Sequence, residues 1–224
     1  WGFQTLQPET EVFAPHDIEM SAHQCKNEDE VARVAADADI IMVQWAPVRK
    51  KAIDAMRHCK GIVRYGIGLD NVDLEAAKAK GIPVRNVPDY CLDEVADHTM
   101  ALMLALQRQV CRVFGLVREG TWKITPPLEL PPLRKSTLGL IGFGRIAQLV
   151  AQRAQSFGLN VIASDPYAEK SAFLKANVRQ TSLDQLFSVA DIVSLHCPLT
   201  DETRHVVNAS TLGRMKNTSL LVNT

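Results

Sequence analysis

A surplus of one charge is the first thing this sequence lacks. Its 25 Lys and Arg balance 25 Asp and Glu, and no basic block stands out. Nucleic acid and anionic membrane surfaces therefore find no electrostatic attraction in it. Long apolar runs are lacking too, and none approaches the ~20 residues that a membrane-spanning helix requires. Cysteine is sparse: Cys25, Cys59, Cys91, Cys111 and Cys197 are odd in number, irregularly spaced and form no C-x-x-C pair. Reduced thiols in a cytoplasmic protein are the expectation. His23 with Cys25, and His58 with Cys59, have no second ligand pair at zinc spacing, so no metal is expected. An initiating Met is missing as well. The chain opens at Trp1 and stops at Thr224, just after the apolar run Ser219–Val222. The expectation is a fragment shortened at both ends, which leaves room for a lost leader.

What is present is alternation. Short apolar runs and helical patterns succeed one another, the mark of βαβ units and parallel sheets. In the first part, strands are expected near Glu11–Phe13, Ile40–Val43, Gly61–Arg64 and Ile82–Asn86, with helices near Asp29–Ala36, Val48–Met56 and Leu74–Lys80. A long helical stretch follows from about Leu92 to Glu119, apolar enough at its centre to be buried. Pro126, Pro127, Pro131 and Pro132 make Thr121–Lys135 a surface connection. A second series then begins, with strands near Thr137–Ile141, Asn160–Ser164, Ile192–His196 and Ser219–Val222. Its helices fall near Arg145–Ser156, Ser182–Val189 and Ala209–Met215. The expected architecture is α/β, with two Rossmann-like domains: residues 1–92, and residues 93–224 led by a connecting helix at about 93–118.

The most informative segment is Gly142-Phe143-Gly144-Arg145-Ile146-Ala147. It directly follows an apolar strand and opens an apolar-periodic helix, the context in which G-x-G-x-x-A binds a dinucleotide. Gly142 permits the tight turn, Gly144 lets backbone approach a pyrophosphate, and Ala147 keeps the helix close to the sheet. The helix N-terminus offers free N–H groups and the positive end of its dipole. Asp165 ends the next strand, eighteen positions after Ala147, close to the ~20-residue offset of a ribose-binding acid. A carboxylate there accepts from ribose hydroxyls and repels a 2′-phosphate, which favours NAD over NADP. The plain alternative is a strand-end turn at Asp165-Pro166. Arg145 is either a pyrophosphate contact or a solvated helix charge.

Several further segments occur in order: Tyr65-Gly66-Ile67-Gly68-Leu69-Asp70-Asn71-Val72-Asp73, Val95-Ala96-Asp97-His98-Thr99, His196-Cys197-Pro198-Leu199-Thr200 and Leu221-Val222-Asn223-Thr224. With Thr137–Ala147 they make a chain that resembles the D-isomer-specific 2-hydroxyacid dehydrogenases over nearly its whole length. The stretch Pro88–His98 looks most like the phosphoglycerate-dehydrogenase-like or C-terminal-binding-protein-like branch. The resemblance implies a flavodoxin-like substrate domain, then a doubly wound NAD-binding domain, an active site in the cleft between them, and a homodimer. The implied activity is hydride transfer between NAD and a small 2-keto acid or D-2-hydroxy acid.

The resemblance also assigns roles. Tyr65, Gly66, Ile67 and Gly68 would hold the substrate carboxylate through backbone N–H groups, and Trp45 would wall the pocket or pack as core. Asp70 and Asn71 would lock the loop, and Asp73 would cap a helix. Thr99 would reach the cofactor phosphates, unless its hydroxyl merely bonds its own helix. His196, Cys197, Pro198 and Thr203 would line the adenosine, and Asn223 and Thr224 the nicotinamide. Three residues that carry the family's chemistry, an Arg, a Glu and an acid–base His, do not occur at matching positions. They are expected beyond Thr224, so no catalytic residue is assigned and the 224 residues alone are expected to show negligible turnover. The rival reading is an NAD(H)-sensing transcriptional corepressor of the C-terminal-binding-protein type, since fold alone does not settle function.

Overall fold

The computed structural model describes residues 5–122 and 132–224. Pro126, Pro127 and Pro131 of the expected connection lie outside them. The chain divides into two compact units, Trp1–Tyr90 and Cys91–Thr224.

The first unit runs α1 (Gln7–Phe13), α2 (Glu28–Val34), β1 (Ile40–Val43), α3 (Lys50–Ala55), β2 (Gly61–Arg64), α4 (Leu74–Ala79) and β3 (Val84–Asn86). The strands form one parallel sheet in the order β1-β2-β3. Val43, Val48, Ile53, Met56, Ile62, Val72 and Ala77 fill its core. Both helices that β2 and β3 require are tied at their ends. Asp73 caps α4 by accepting the Ala76 amide at 2.9 Å. Lys80 closes α3 by donating to the carbonyls of Ile53, Asp54 and Met56 at 2.7, 2.8 and 2.5 Å, which uses three of the orphan acceptors at that helix end.

One expectation fails here. Glu11–Phe13 is not a strand but the end of α1. Pro8 sits in the first turn, where a missing N–H is harmless. Gln7 donates to Glu11 at 2.6 Å and Thr10 to the Leu6 carbonyl at 2.9 Å, both one turn apart. These i,i+4 bonds hold a helix that the short run Glu11-Val12-Phe13 does not reveal. The last strand also begins two residues later than expected, at Val84, after Pro83.

The second unit runs α5 (Leu92–Gln107), α6 (Val110–Arg118), β4 (Thr137–Ile141), α7 (Arg145–Ser156), β5 (Asn160–Ser164), α8 (Lys170–Lys175), β6 (Arg179–Gln180), α9 (Leu183–Val189), β7 (Ile192–Leu195), α10 (Ala209–Leu212) and β8 (Leu220–Asn223). Its five strands are parallel in the order β6-β5-β4-β7-β8. The chain winds outward from β4 through β5 to β6, then returns to the other side of β4 with β7. This is the doubly wound order, with its switch point between β4 and β7. Strand alternation splits the core into two faces. Leu138, Leu140, Val161, Ala163 and Ile192 pack with α5 and α7, while Ile141, Ile162 and Val193 pack with Leu186 and Phe187 of α9 and with Ala190 just after it.

The long helical stretch expected from Leu92 to Glu119 is two helices, bent by 58°. Gln109 takes a left-handed conformation at the break, φ 52°. The buried stripe of α5 (Ala96, Thr99, Met100, Met103, Gln107) ends there, and α6 buries none of its residues. No single helix among the described residues is long and apolar enough to cross a membrane. The final helix is shorter than expected, ending at Leu212 rather than Met215. The elements α8 and β6 escaped the sequence reading: one buries a single Phe173, the other is two exposed residues.

Gly139 lies in β4 facing α9. A Cβ there would meet Leu186 carbons at 2.7 Å and the Ala190 Cβ at 3.1 Å. Overpacking of this kind costs about 1–3 kcal/mol. Gly139→Ala is expected to lower stability by that amount in urea denaturation. Adding Leu186→Ala is expected to cost less in the Gly139→Ala background than in the wild type.

Candidate functional site

The carboxyl ends of β4 and β7 carry the residues the sequence singled out. Gly142 leaves β4 at φ 88°, and a Cβ there would lie 2.8 Å from the His196 carbonyl carbon and oxygen and from the Cys197 nitrogen. The two strand exits therefore touch backbone to backbone, which only glycine allows. Gly144 differs. It caps α7 with extended backbone and no side-chain hydrogen bond, and a Cβ there would meet nothing within 4 Å. The amides of Gly144 and Ile146 find no acceptor among the described residues. The start of a twelve-residue helix thus presents N–H donors and a positive dipole end to open space. Arg145 is exposed beside them. Phe143 is buried, stacked on Phe173 at 4.5 Å between ring centroids.

Asp165 ties β5 to this loop. One carboxylate oxygen accepts the Phe143 amide at 2.7 Å; the other accepts the amides of Tyr167 at 2.8 Å and Ala168 at 3.1 Å. A carboxylate offers about four acceptor positions, so the turn leaves one. Sequence reasoning passed over Tyr167, whose exposed ring stands beside Asp165 and whose hydroxyl donates to Glu202. The pair links the segments beyond β5 and β7, and its only signal in the sequence is that both residues follow strand ends.

His196 leaves β7 with its amide donating to the Ile141 carbonyl at 2.7 Å, and its Nε2 pairs with the buried Ser194 hydroxyl at 2.9 Å. Burial pushes its pKa down to about 4, so the ring is neutral at physiological pH. Burial raises the Cys197 thiol. Thr203 folds the following loop by donating to the Pro198 carbonyl at 2.5 Å and accepting the Thr200 amide at 2.8 Å. Beyond β8, the Thr224 hydroxyl lies 3.4 Å from that of Thr99, which donates to its own helix at the Val95 carbonyl, 2.8 Å away. Asn223 is exposed at the end of β8. The structure thus brings together Gly142, Phe143, Gly144, Asp165, His196 and Cys197 in one group, and Thr99 with Thr224 in another.

In the first unit, the segment after β2 forms a second group. Gly66 is buried at φ 152°. The amides of Ile67 and Gly68 have no acceptor among the described residues. Asn86 donates to the Ile67 carbonyl at 2.7 Å, and Asn71 donates to the Ala46 carbonyl at 3.0 Å, which locks the loop. The Tyr65 hydroxyl donates to Glu9 at 3.1 Å; burial first, then Glu9, pushes its pKa up to about 12. Trp45 is 70% exposed, which rules out its reading as a core residue. No group of three or more His, Cys, Asp and Glu is placed to hold a metal ion among the described residues.

A glycine loop leading into a free helix N-terminus, at the switch point of a doubly wound parallel sheet, defines a dinucleotide-binding α/β protein. Residues 100–224 match the NAD-binding domain of the D-isomer-specific 2-hydroxyacid dehydrogenases, and the chain belongs to that family. A hydroxypyruvate reductase of Thermotoga maritima is 41% identical over 197 residues, 88% of this chain and 63% of that protein. A D-3-phosphoglycerate dehydrogenase of Mycobacterium tuberculosis is 34% identical over 219 residues, 97% of this chain and 41% of that protein. The chain thus spans less than two thirds of the length of these relatives. The crystal structure of a D-lactate dehydrogenase from Aquifex aeolicus, complexed with NAD and lactic acid, superposes with a TM-score of 0.87 at 29% identity, covering 98% of this chain and 66% of that one.

The two glycines of the loop should separate experimentally. Gly142→Ala adds a backbone clash to a left-handed conformation and is expected to cost about 3 kcal/mol or more. Gly144→Ala only replaces a glycine cap and should cost no more than about 1 kcal/mol by chemical denaturation. His196 gives a pH signature. The unfolded ring titrates near 6.5 and the folded one near 4, so its contribution to stability is complete above about pH 6.5. It is lost as pH falls toward 4, because the unfolded chain takes the proton first. Melting midpoints from pH 7 to 4 should therefore fall less steeply in His196→Gln than in the wild type.

Proposed function

We propose that this chain is the cofactor-binding part, with most of the substrate domain, of an NAD-dependent oxidoreductase that transfers a hydride between nicotinamide and a small 2-keto acid or D-2-hydroxy acid. The observation that carries the reading is the open space above Gly144, at the uncapped N-terminus of α7. A loop that needed glycine only for its own packing would fill that space. A pyrophosphate accepts from the free amides and complements the helix dipole.

In this reading Gly142, Phe143, Gly144, Arg145 and Ile146 cradle the pyrophosphate. The remaining acceptor position of Asp165 takes a ribose hydroxyl, and its charge disfavours a 2′-phosphate. His196, Cys197, Pro198 and Thr203 line the adenosine; the neutral ring of His196 adds no charge there. Thr99, Asn223 and Thr224 stand toward the nicotinamide. In the other unit, the substrate domain, Ile67 and Gly68 offer amides to the acid's carboxylate, with Tyr65, Gly66 and Trp45 around them. Nicotinamide supplies the hydride, while these residues bind and orient. The Thermotoga hydroxypyruvate reductase and the lactic-acid-bound Aquifex enzyme support a small 2-hydroxy acid as substrate. The protein works in the cytoplasm without nucleic-acid or membrane partners. It works as a homodimer, for which the exposed apolar face Val110, Phe114 and Val117 of α6 offers a surface.

Fluorescence titration with NADH and NADPH tests the reading. NADH is expected to bind at least about tenfold more tightly, equivalent to about 1.4 kcal/mol. Asp165→Asn should narrow the gap, and Gly144→Val should abolish binding with the fold intact. Equal affinity for the two cofactors, or undiminished binding by Gly144→Val, contradicts it.

A further inference from the structure

The hydroxyl of Tyr167 donates to a carboxylate oxygen of Glu202. The two side chains come from either side of the dinucleotide loop. Tyr167 follows β5 and Glu202 follows β7, and these strands pair with opposite edges of β4. Strands on the two sides of a central one lie about 9–10 Å apart, so the bond crosses the carboxyl end of the sheet beside the β4 exit. Both ends of the tie are anchored. One Asp165 oxygen accepts the amides of Tyr167 at 2.8 Å and Ala168 at 3.1 Å. Glu202 sits within a closed turn, in which the Thr203 hydroxyl donates to the Pro198 carbonyl at 2.5 Å and the Arg204 amide to the Thr200 carbonyl at 2.8 Å.

Core packing does not account for the tie. The Tyr167 ring is 76% exposed, and Glu202 is exposed as well. What the bond does is hold a long, otherwise mobile carboxylate in one place. Asp165 stands close by. The Tyr167 hydroxyl is pushed above its ordinary pKa by Glu202 first, and Asp165 adds to the push. No Lys or Arg forms an ion pair with either acid among the described residues. Two uncompensated negative charges therefore flank the space where the remaining acceptor of Asp165 would take a ribose hydroxyl. A phosphate on that ribose adds about 1.5 to 2 further negative charges. A free Glu side chain would swing away from them, and a tied one cannot.

We propose that Glu202 is a second determinant of cofactor choice: Tyr167 holds its carboxylate at the adenosine-ribose end of the crevice, where it acts with Asp165 to repel a 2′-phosphate. The proposal rests on the dinucleotide reading of the Gly142 loop. Tyr167 is a positioning residue that acts through Glu202. Removing the Asp165 charge alone then leaves part of the discrimination against NADPH in place.

Fluorescence titration with NADH and NADPH at low salt tests this through the ratio of the two Kd values. Glu202→Gln should lower the NADPH-to-NADH ratio about three- to tenfold, with the change falling on the NADPH constant. Tyr167→Phe keeps the ring and the Asp165 turn but releases Glu202, so it should lower the ratio as well. In that background Glu202→Gln should then add less than it does in the wild type. Asp165→Asn with Glu202→Gln should lower the ratio further than Asp165→Asn alone. Because the effect is one of charge, the difference between Glu202→Gln and the wild type should shrink at 1 M salt, where screening acts within about 3 Å. An unchanged ratio in Glu202→Gln, equal weakening of both cofactors, or a ratio change that persists undiminished at 1 M salt would each overturn the proposal. NADPH binding that stays too weak to measure in every variant counts as an unchanged ratio. NADH binding with an unmoved ratio removes only this proposal, whereas a wild type that binds neither cofactor removes the dinucleotide reading and this proposal with it.

Discussion

The contact between two backbones, Gly142 against the His196–Cys197 peptide, is the constraint on which the second unit's site depends. Two parallel strands that start their crossovers in opposite directions must open a crevice at their carboxyl ends. Here the exits touch at its base, at a distance no side chain on Gly142 would permit. That contact fixes where the loop turns into α7, and so where the first free amides of the helix point. Asp165 secures the other side by accepting the Phe143 amide from the end of β5. The loop is held by protein on two sides and left open on the third, over Gly144.

Much of this was legible from residue order alone. The pattern Leu138–Ile141 followed by Gly-x-Gly and an apolar-periodic helix specifies strand, turn and helix over a few residues, and β4, α7 and β5 fall where the sequence places them. Local signals of this kind are strong because each residue has one job. Gly142 gives the turn and Ala147 the close packing. The failures share a different cause. The α1 helix was hidden because its stabilising bonds are polar and one turn apart, whereas its apolar residues, Val12 and Phe13, are adjacent and show no helical period. The break at Gln109 carries no Gly or Pro, since it marks the end of the stripe that α5 buries rather than a local preference. The short elements α8 and β6 are fixed by what they dock against, and sequence periodicity does not report that.

The sites were legible in identity more than in arrangement. Glycine, aspartate and histidine at the strand ends could be named beforehand, but not the number of acceptor positions Asp165 spends on its own turn, nor the neutrality of His196. Thr99 could be read as a ligand or as a helix-bonded hydroxyl, and its bond to the Val95 carbonyl with Thr224 alongside emerges only from three dimensions. In the first unit the loop from Tyr65 to Asp73 was recognisable by its glycines. The burial of Arg64 at the end of β2, with no partner for its Nε among the described residues, was not, because it depends on what surrounds the residue in three dimensions.

Local propensity, strand alternation and packing agree across nearly all the described residues of both units; they part at Gly144. There, open space stands where a packed protein would place atoms. Such departures are expected where a ligand completes the structure. The most direct test is an amide-resolved NMR titration of the chain with NADH. The account predicts the largest shifts at Phe143, Gly144, Arg145 and Ile146, with further changes at Asp165, His196 and Cys197. Saturable binding that leaves those amides unmoved, or no binding at all, would contradict it.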